Sequence, residues 1–204
     1  MQDTYKTILK PSNEVLFKDK NSKFYSYAFP FTSENLLPHI ISELKSNHQK
    51  AGHFCYAYQI GKTETSQVYR VNDDGEPNNS AGMPIYGQIQ SADVTDILIV
   101  VIRYFGGTKL GVSGLINAYK TSAKLALQSA EIVEKTITVD YLISFDYKNM
   151  NKVMRIIKER NLEIIEQKLE LDCNIKISVR KKESNSIFQL FDRLFEITIK
   201  KEDA

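Results

Sequence analysis

Hydrophobic residues change their spacing several times along this chain, and each change marks an element. Glu14–Lys18 and Phe24–Phe29 alternate as short strands around a polar Asp19–Ser22 turn. Leu36, Leu37, Ile40, Ile41 and Leu44 then recur at helical spacing, with Ser33 placed as a cap. Pro38 inside that stripe leaves the helix start open. His53–Ile60 and Gln67–Asn72 read as paired strands around Gly61–Thr65, and Asp73–Gly82 is a polar loop. A short helix near Ala81–Gln90 leads to the apolar run Ile97–Ile102, which has the length and composition of a buried strand. Leu115, Ile116, Tyr119, Ala123, Ala126, Leu127 and Ala130 form the clearest helical stripe, leaving Asn117, Lys120 and Lys124 on the other face.

The second half has a different rhythm. Thr136–Phe145 alternates as a strand, and Met150, Val153, Met154 and Ile157 mark a helix. Glu163–Leu171 and Asn174–Lys182 read as a hairpin around Asp172–Cys173. Ile187, Leu190, Phe191, Leu194 and Phe195 mark another helix, capped by Ser184 or Asn185, before a closing strand at Ile197–Lys200. The order β-α-β-β-α-β is the ferredoxin-like arrangement. The expectation is an α+β protein of two domains, residues 1–133 and 134–204, with the boundary in the Gly- and Pro-free stretch Glu131–Thr136.

Composition narrows the class. The chain has 204 residues, 42% hydrophobic and 25% charged, as in ordinary globular proteins. No apolar run is long enough to span a bilayer, and the start lacks a secretory pattern. The two cysteines, Cys55 and Cys173, give no disulfide framework, so a cytoplasmic protein with reduced thiols is expected. Net charge is +2, with 13 basic against 12 acidic residues through Val133 and 14 against 13 after it. Any nucleic-acid binding must therefore come from a local patch.

Such a patch is visible. Arg103-Tyr-Phe-Gly-Gly-Thr-Lys-Leu-Gly-Val-Ser-Gly114 follows the apolar strand and precedes the clearest helix. Gly106, Gly107, Gly111 and Gly114 let the backbone turn tightly or approach a ligand. The helix start presents unpaired N–H groups that suit an anion. No Asp or Glu occurs from Ile97 to Ala130, so Arg103, Lys109, Lys120 and Lys124 have no local counter-charge. The segment is neither a Walker loop nor a dinucleotide fingerprint. Phosphate is the expected anion, with Tyr104 stacking or hydrogen-bonding beside Arg103.

Asp73-Asp74-Gly75-Glu76-Pro77 is the second cluster. Its carboxylates suit acid–base chemistry, a hard cation or a polar turn. His53 and Cys55 share one strand face. With no assignable orienting residue they read as a hydrogen-bonded or cleft-lining histidine beside a buried thiol, not a nucleophile pair. No zinc spacing is present, and no metal or cofactor is expected. Tyr56, Tyr58, Tyr69, Tyr86 and Tyr104 are either base-stacking surface or core filler.

Together, His53-Phe-Cys-Tyr-Ala-Tyr, Asp73-Asp-Gly-Glu-Pro with Ala81-Gly-Met-Pro, and Arg103-Tyr-Phe-Gly-Gly-Thr-Lys-Leu-Gly with Gly114-Leu-Ile-Asn-Ala-Tyr resemble the Impact/YigZ family. The resemblance implies a first domain like the second domain of a small-subunit ribosomal protein. It implies a second domain like a late domain of elongation factor G. Eukaryotic relatives regulate translation with an extra N-terminal domain, which is not expected ahead of motifs that begin this early. Asn79, Ser80, Ser113 and Asn117 stand where the family often has Gly, Thr, Gly and Arg.

The resulting expectation is a non-enzymatic RNA- or ribosome-associated protein modulating translation. Arg103, Tyr104, Gly106, Gly107, Lys109, Gly111, Gly114, Lys120 and Lys124 would bind, and His53, Asp73, Asp74 and Glu76 would wall the cleft. The rivals are an enzyme for a small phosphorylated or peptide substrate, with Asp73, Asp74 and Glu76 as acid/base, and an interaction module docking a protein through the C-terminal domain.

Overall fold

The structure, a computed structural model, describes residues 3–202. The chain divides into two compact units. One is Thr4–Lys135, and the other runs from Thr136 onward and includes Asp3.

The first unit contains β1 (Thr4–Ile8), β2 (Val15–Asp19), β3 (Ser22–Pro30), α1 (Leu37–Asn47), β4 (His53–Ile60) and β5 (Val68–Asn72). It continues through α2 (Gly82–Ser91), β6 (Ile97–Tyr104) and α3 (Gly111–Ser129) into β7 (Ile132–Thr136). Five strands form one sheet in the order β2-β3-β6-β4-β5, and every neighbouring pair is antiparallel. The apolar run makes β6 the central strand, because it is covered on both faces. Ile97, Ile99 and Val101 join the core under α2 and α3 with Phe24, Ala28, Cys55, Ala57 and Tyr119. Leu98, Val100 and Ile102 face the other way, with Phe31, Phe54, Tyr56, Tyr58 and Leu44 of α1. Period-two alternation thus sends consecutive residues of β6 to opposite layers.

β1 and β7 pair as a separate two-stranded sheet. Neither was anticipated, because β7 is mostly exposed and shows no inward stripe. Its path occupies the Glu131–Thr136 stretch that the sequence left without an element.

The second unit holds β8 (Thr138–Asp146), α4 (Met150–Glu159), β9 (Glu163–Lys168), β10 (Asp172–Arg180), α5 (Lys181–Asp192) and β11 (Ile197–Lys201). Its antiparallel sheet has the order β11-β8-β10-β9, the ferredoxin-like topology. Val153 and Ile157 of α4 and Ile187 and Phe191 of α5 pack with Ile143, Ile175 and Ile177. Asp3 belongs to this unit through its carbonyl, which accepts from Ile137 N–H at 2.8 Å.

Three details differ from the sequence reading. Asp172 and Cys173 lie within β10, and the reversal falls between Lys168 and Asp172; Cys173 points inward with Ile175, Ile177 and Val179. Lys181 opens α5, and Ser184 is not its cap, since its hydroxyl donates to the Lys181 carbonyl at 2.7 Å. Phe195 is fully exposed, because α5 ends at Asp192 and the helical stripe stops before reaching it.

Each unit carries one buried cysteine, Cys55 or Cys173. Neither thiol should react with a disulfide reagent under native conditions. In rising urea, labelling followed by peptide mass should show two transitions, one per unit. A single coincident transition would mean that the units open together.

Candidate functional site

The loop between β5 and α2 is built around the carboxylate of Asp73. Its Oδ1 accepts from Ala81 and Gly82 N–H at 2.9 and 2.8 Å, and its Oδ2 accepts from Asn79 N–H at 2.8 Å. Asp73 therefore serves the free donors at the start of α2, where Ala81 offers no side-chain cap. Asp74 accepts the Phe54 amide at 2.6 Å, tying the loop to β4. Asp74, Gly75 and Asn79 all have positive φ, conformations that Asn, Asp and Gly adopt most readily.

This turn delivers Glu76 into the interior, with only 4% of its side chain exposed. Glu76 Oε1 accepts from Arg103 at 2.7 Å and from the Tyr119 hydroxyl at 2.7 Å. Arg103 sits at the end of β6 with its side chain 7% exposed. It is not the unopposed cation that the acid-free sequence implied. Its counter-charge comes from Glu76, 27 positions earlier and folded against it. A buried guanidinium without such a partner would be severely penalised.

Cys55 and His53 complete the cluster from β4. The Cys55 thiol donates to the Asp73 carbonyl at 3.0 Å, with the Tyr119 oxygen 3.4 Å away. Burial pushes this thiol well above its ordinary range, and the Glu76 charge adds to the rise against a Tyr119 hydrogen bond that opposes it. The thiol stays protonated and unreactive. Burial likewise raises the Tyr119 hydroxyl, helped by Cys55 and Glu76. His53 Nδ1 donates to the Asp74 carbonyl at 2.8 Å, which directs Nε2 toward Glu76, 4.0 Å away.

Tyr104 is not beside Arg103 in space. Alternation places it on the α1 face, where its hydroxyl bonds His48 Nδ1 at 3.0 Å and its ring packs on Tyr25. Tyr56, Tyr58 and Tyr86 are also buried, so most of the tyrosine density is core. The aromatic that reaches solvent in the motif is Phe105.

The glycine loop packs against the β2–β3 turn. A Cβ on Gly106 would lie 2.1 Å from the Asn21 backbone, so no other residue fits there without moving the chain. The Gly106 N–H donates to Ser22 Oγ at 3.2 Å. Gly107 and Gly111 have positive φ, and α3 starts at Gly111 without a side-chain cap or an acidic first turn. Gly114 lies in that first turn, against Leu110. Lys109, Lys120 and Lys124 are exposed. Lys120 and Lys124 share one helix face a turn apart, but Lys124 is about 20 Å along the helix from Gly111, so this pair is separate from the loop. Sequence reading missed three other lysines. Lys18, Lys20 and Lys23 are exposed in the hairpin that touches Gly106, with only Asp19 among them. Their spacing, Lys-Asp-Lys-Asn-Ser-Lys, was the available signal.

The family model described as the Impact N-terminal domain matches residues 20–127. The chain belongs to the Impact family. The Impact family member YvyE of Bacillus subtilis (strain 168) is 30% identical over 194 residues, covering 95% of this chain and 88% of its own. A solved structure of a hypothetical protein covers 100% of this chain and 99% of its own at 22% identity, with a TM-score of 0.73, a likeness of fold. The structure of the two-domain translational regulator Yih1 is 25% identical over 59% of this chain and 46% of its own, and its TM-score of 0.37 is too low to compare folds.

The three Impact motifs meet in one place. The first gives His53 and Cys55, the second Asp73 and Glu76, and the third Arg103 and Tyr119. They form one hydrogen-bonded cluster, buried at Cys55, Glu76, Arg103 and Tyr119 and reaching the surface at His53, whose side chain is 27% exposed. Two depressions of the first unit, about 400 and 250 Å³, share Lys45, Phe54 and Asp74, and neither is lined by Glu76 or Arg103. Among the described residues no three His, Cys, Asp or Glu side chains are grouped to hold a metal ion, and no helix is long and apolar enough to cross a membrane.

Arg103→Ala should strand Glu76 and cost about 3–5 kcal/mol of stability in urea unfolding. The double variant Arg103→Ala/Glu76→Ala should lose less than the two single losses added together, because no charge is left alone. A single-variant loss below about 1 kcal/mol would show that the pair behaves as a surface ion pair.

Proposed function

We propose that this Impact-family protein is a non-catalytic RNA-binding factor of the cytoplasm that modulates translation. The observation that carries the RNA reading is the basic rim of the glycine loop. Lys109 is exposed in the loop, and Lys18, Lys20 and Lys23 are exposed in the hairpin that touches Gly106, with Asp19 as the one acid among them. Lys120 and Lys124 are exposed further along α3. Exposed lysines on a flexible stem suit phosphate as point charges, whereas Arg103 is committed to Glu76. The backbone N–H groups at Gly111–Gly114 add donors to the same edge.

The translational part comes from the family, whose resemblance implies it; Yih1 is described as a translational regulator. Acid–base chemistry by Asp73, Asp74 and Glu76 has less support. Three backbone amides occupy Asp73, the Phe54 amide engages Asp74, and Glu76 neutralises Arg103.

The test is binding of the full chain to a short single-stranded RNA across a salt series. Each phosphate contact contributes about 0.7 to the slope of log affinity against log salt. Lys20→Ala/Lys23→Ala/Lys109→Ala should flatten that slope by about two. Lys181→Ala, in the other unit, should leave it unchanged. No RNA binding at low salt, or an unchanged slope in the triple variant, would overturn the reading.

A further inference from the structure

Phe105 immediately precedes Gly106 at the proposed RNA edge and is 57% exposed. Its ring is nevertheless held. The Arg103 guanidinium carbon lies 5.5 Å from its centroid, and the same carbon lies 5.7 Å from the centroid of fully buried Phe24. Glu76 fixes that guanidinium from the interior at 2.7 Å. A chain of contacts therefore runs from the core, through a buried cation, to an aromatic ring at the surface. On its C-terminal side two glycines follow in the sequence, so no bulky neighbour there covers the ring.

We propose that Phe105 is a stacking platform for an unpaired nucleobase, so that this edge takes single-stranded RNA in preference to duplex. The inference rests on the RNA reading above and gives it a substrate class. A ring already held by Arg103 loses little freedom when a base stacks on it. The buried cation draws on the ring's negative face, which weakens its attraction for a second cation and suits a neutral π-surface. Lys109 follows four residues later, and Lys20 lies in the hairpin turn whose next residue, Asn21, meets Gly106, so a phosphate next to the base has an exposed cation within reach of the same loop. Duplex RNA keeps its base faces stacked inside the helix and offers none to Phe105.

The chain contains no tryptophan, so Phe105→Trp introduces a single tryptophan reporter. The probes are a short oligouridylate, an abasic ribose-phosphate chain of equal length, and duplex RNA of the same charge. Phe105→Ala and Phe105→Leu should each weaken oligouridylate binding by about 5- to 100-fold. The salt slope should stay unchanged, because no charge is altered. Phe105→Trp should keep the affinity, and oligouridylate should quench its emission while the abasic chain does not. Wild-type protein should bind the abasic chain and the duplex as weakly as Phe105→Ala binds oligouridylate. Matching urea midpoints would confirm that the exposed variants fold. If Phe105→Ala and Phe105→Leu bind oligouridylate like wild type while the lysine variant still flattens the slope, the stacking role falls and RNA binding stands. If wild-type protein binds no RNA at low salt, both fall.

Discussion

The ion pair between Glu76 and Arg103 is the contact on which the rest of the first unit's functional end depends. It joins the loop after β5 to the end of β6, and the Tyr119 hydroxyl brings α3 to the same carboxylate oxygen. Both partners are nearly excluded from water, so neither charge is tolerable alone. The surrounding geometry serves this neutralisation. Asp73 collects three amides to shape the turn, Asp74 pins the turn to β4, and the left-handed residues Asp74, Gly75 and Asn79 bend the chain enough to send Glu76 inward.

That arrangement explains what the sequence could and could not convey. The layers were legible because β6 is an unbroken apolar run and α3 a sustained helical stripe. The ferredoxin-like order was legible for the same reason, through alternation in β8 and β10. The pairing of Arg103 with Glu76 was not legible, because it joins residues 27 positions apart across a turn whose course depends on backbone hydrogen bonds. Counting acids between Ile97 and Ala130 measured the local charge correctly and the spatial charge wrongly. Tyr104 shows a related limit. Its parity on β6 was available, and continuing the alternation by two residues beyond Ile102 would have put it opposite Arg103. Phe195 shows where periodicity misleads, since a stripe has no meaning past the residue at which the helix stops.

Three consecutive residues of one motif consequently have three different fates. Arg103 turns into the α2/α3 layer, Tyr104 turns into the α1 layer, and Phe105 leaves the sheet for solvent. The first two are matters of stability, and the third is free to meet a ligand. The buried residues still act on the surface one, because the guanidinium that Glu76 holds is the same group that touches the Phe105 ring. Site organisation here runs from the inside outward, with an interior charge pair positioning an exterior aromatic.

The four positions at which the resemblance implies a departure from the usual family pattern follow the same division. Asn79, Ser113 and Asn117 are exposed. Ser80 is buried but retains a hydroxyl, which donates to the Pro77 carbonyl at 2.6 Å. None of the departures falls on His53, Cys55, Asp73, Glu76, Arg103 or Tyr119. A change at an exposed helix position alters only what the surface offers a ligand, whereas a change within the cluster would leave a buried group unpaired. If the resemblance holds at Asn117, where the family often has Arg, α3 offers one cation fewer. Under the proposed reading, the weight of phosphate contact then moves toward Lys109 and the lysines of the hairpin that touches Gly106. The rim can be retuned in this way without disturbing the interior that holds it in place.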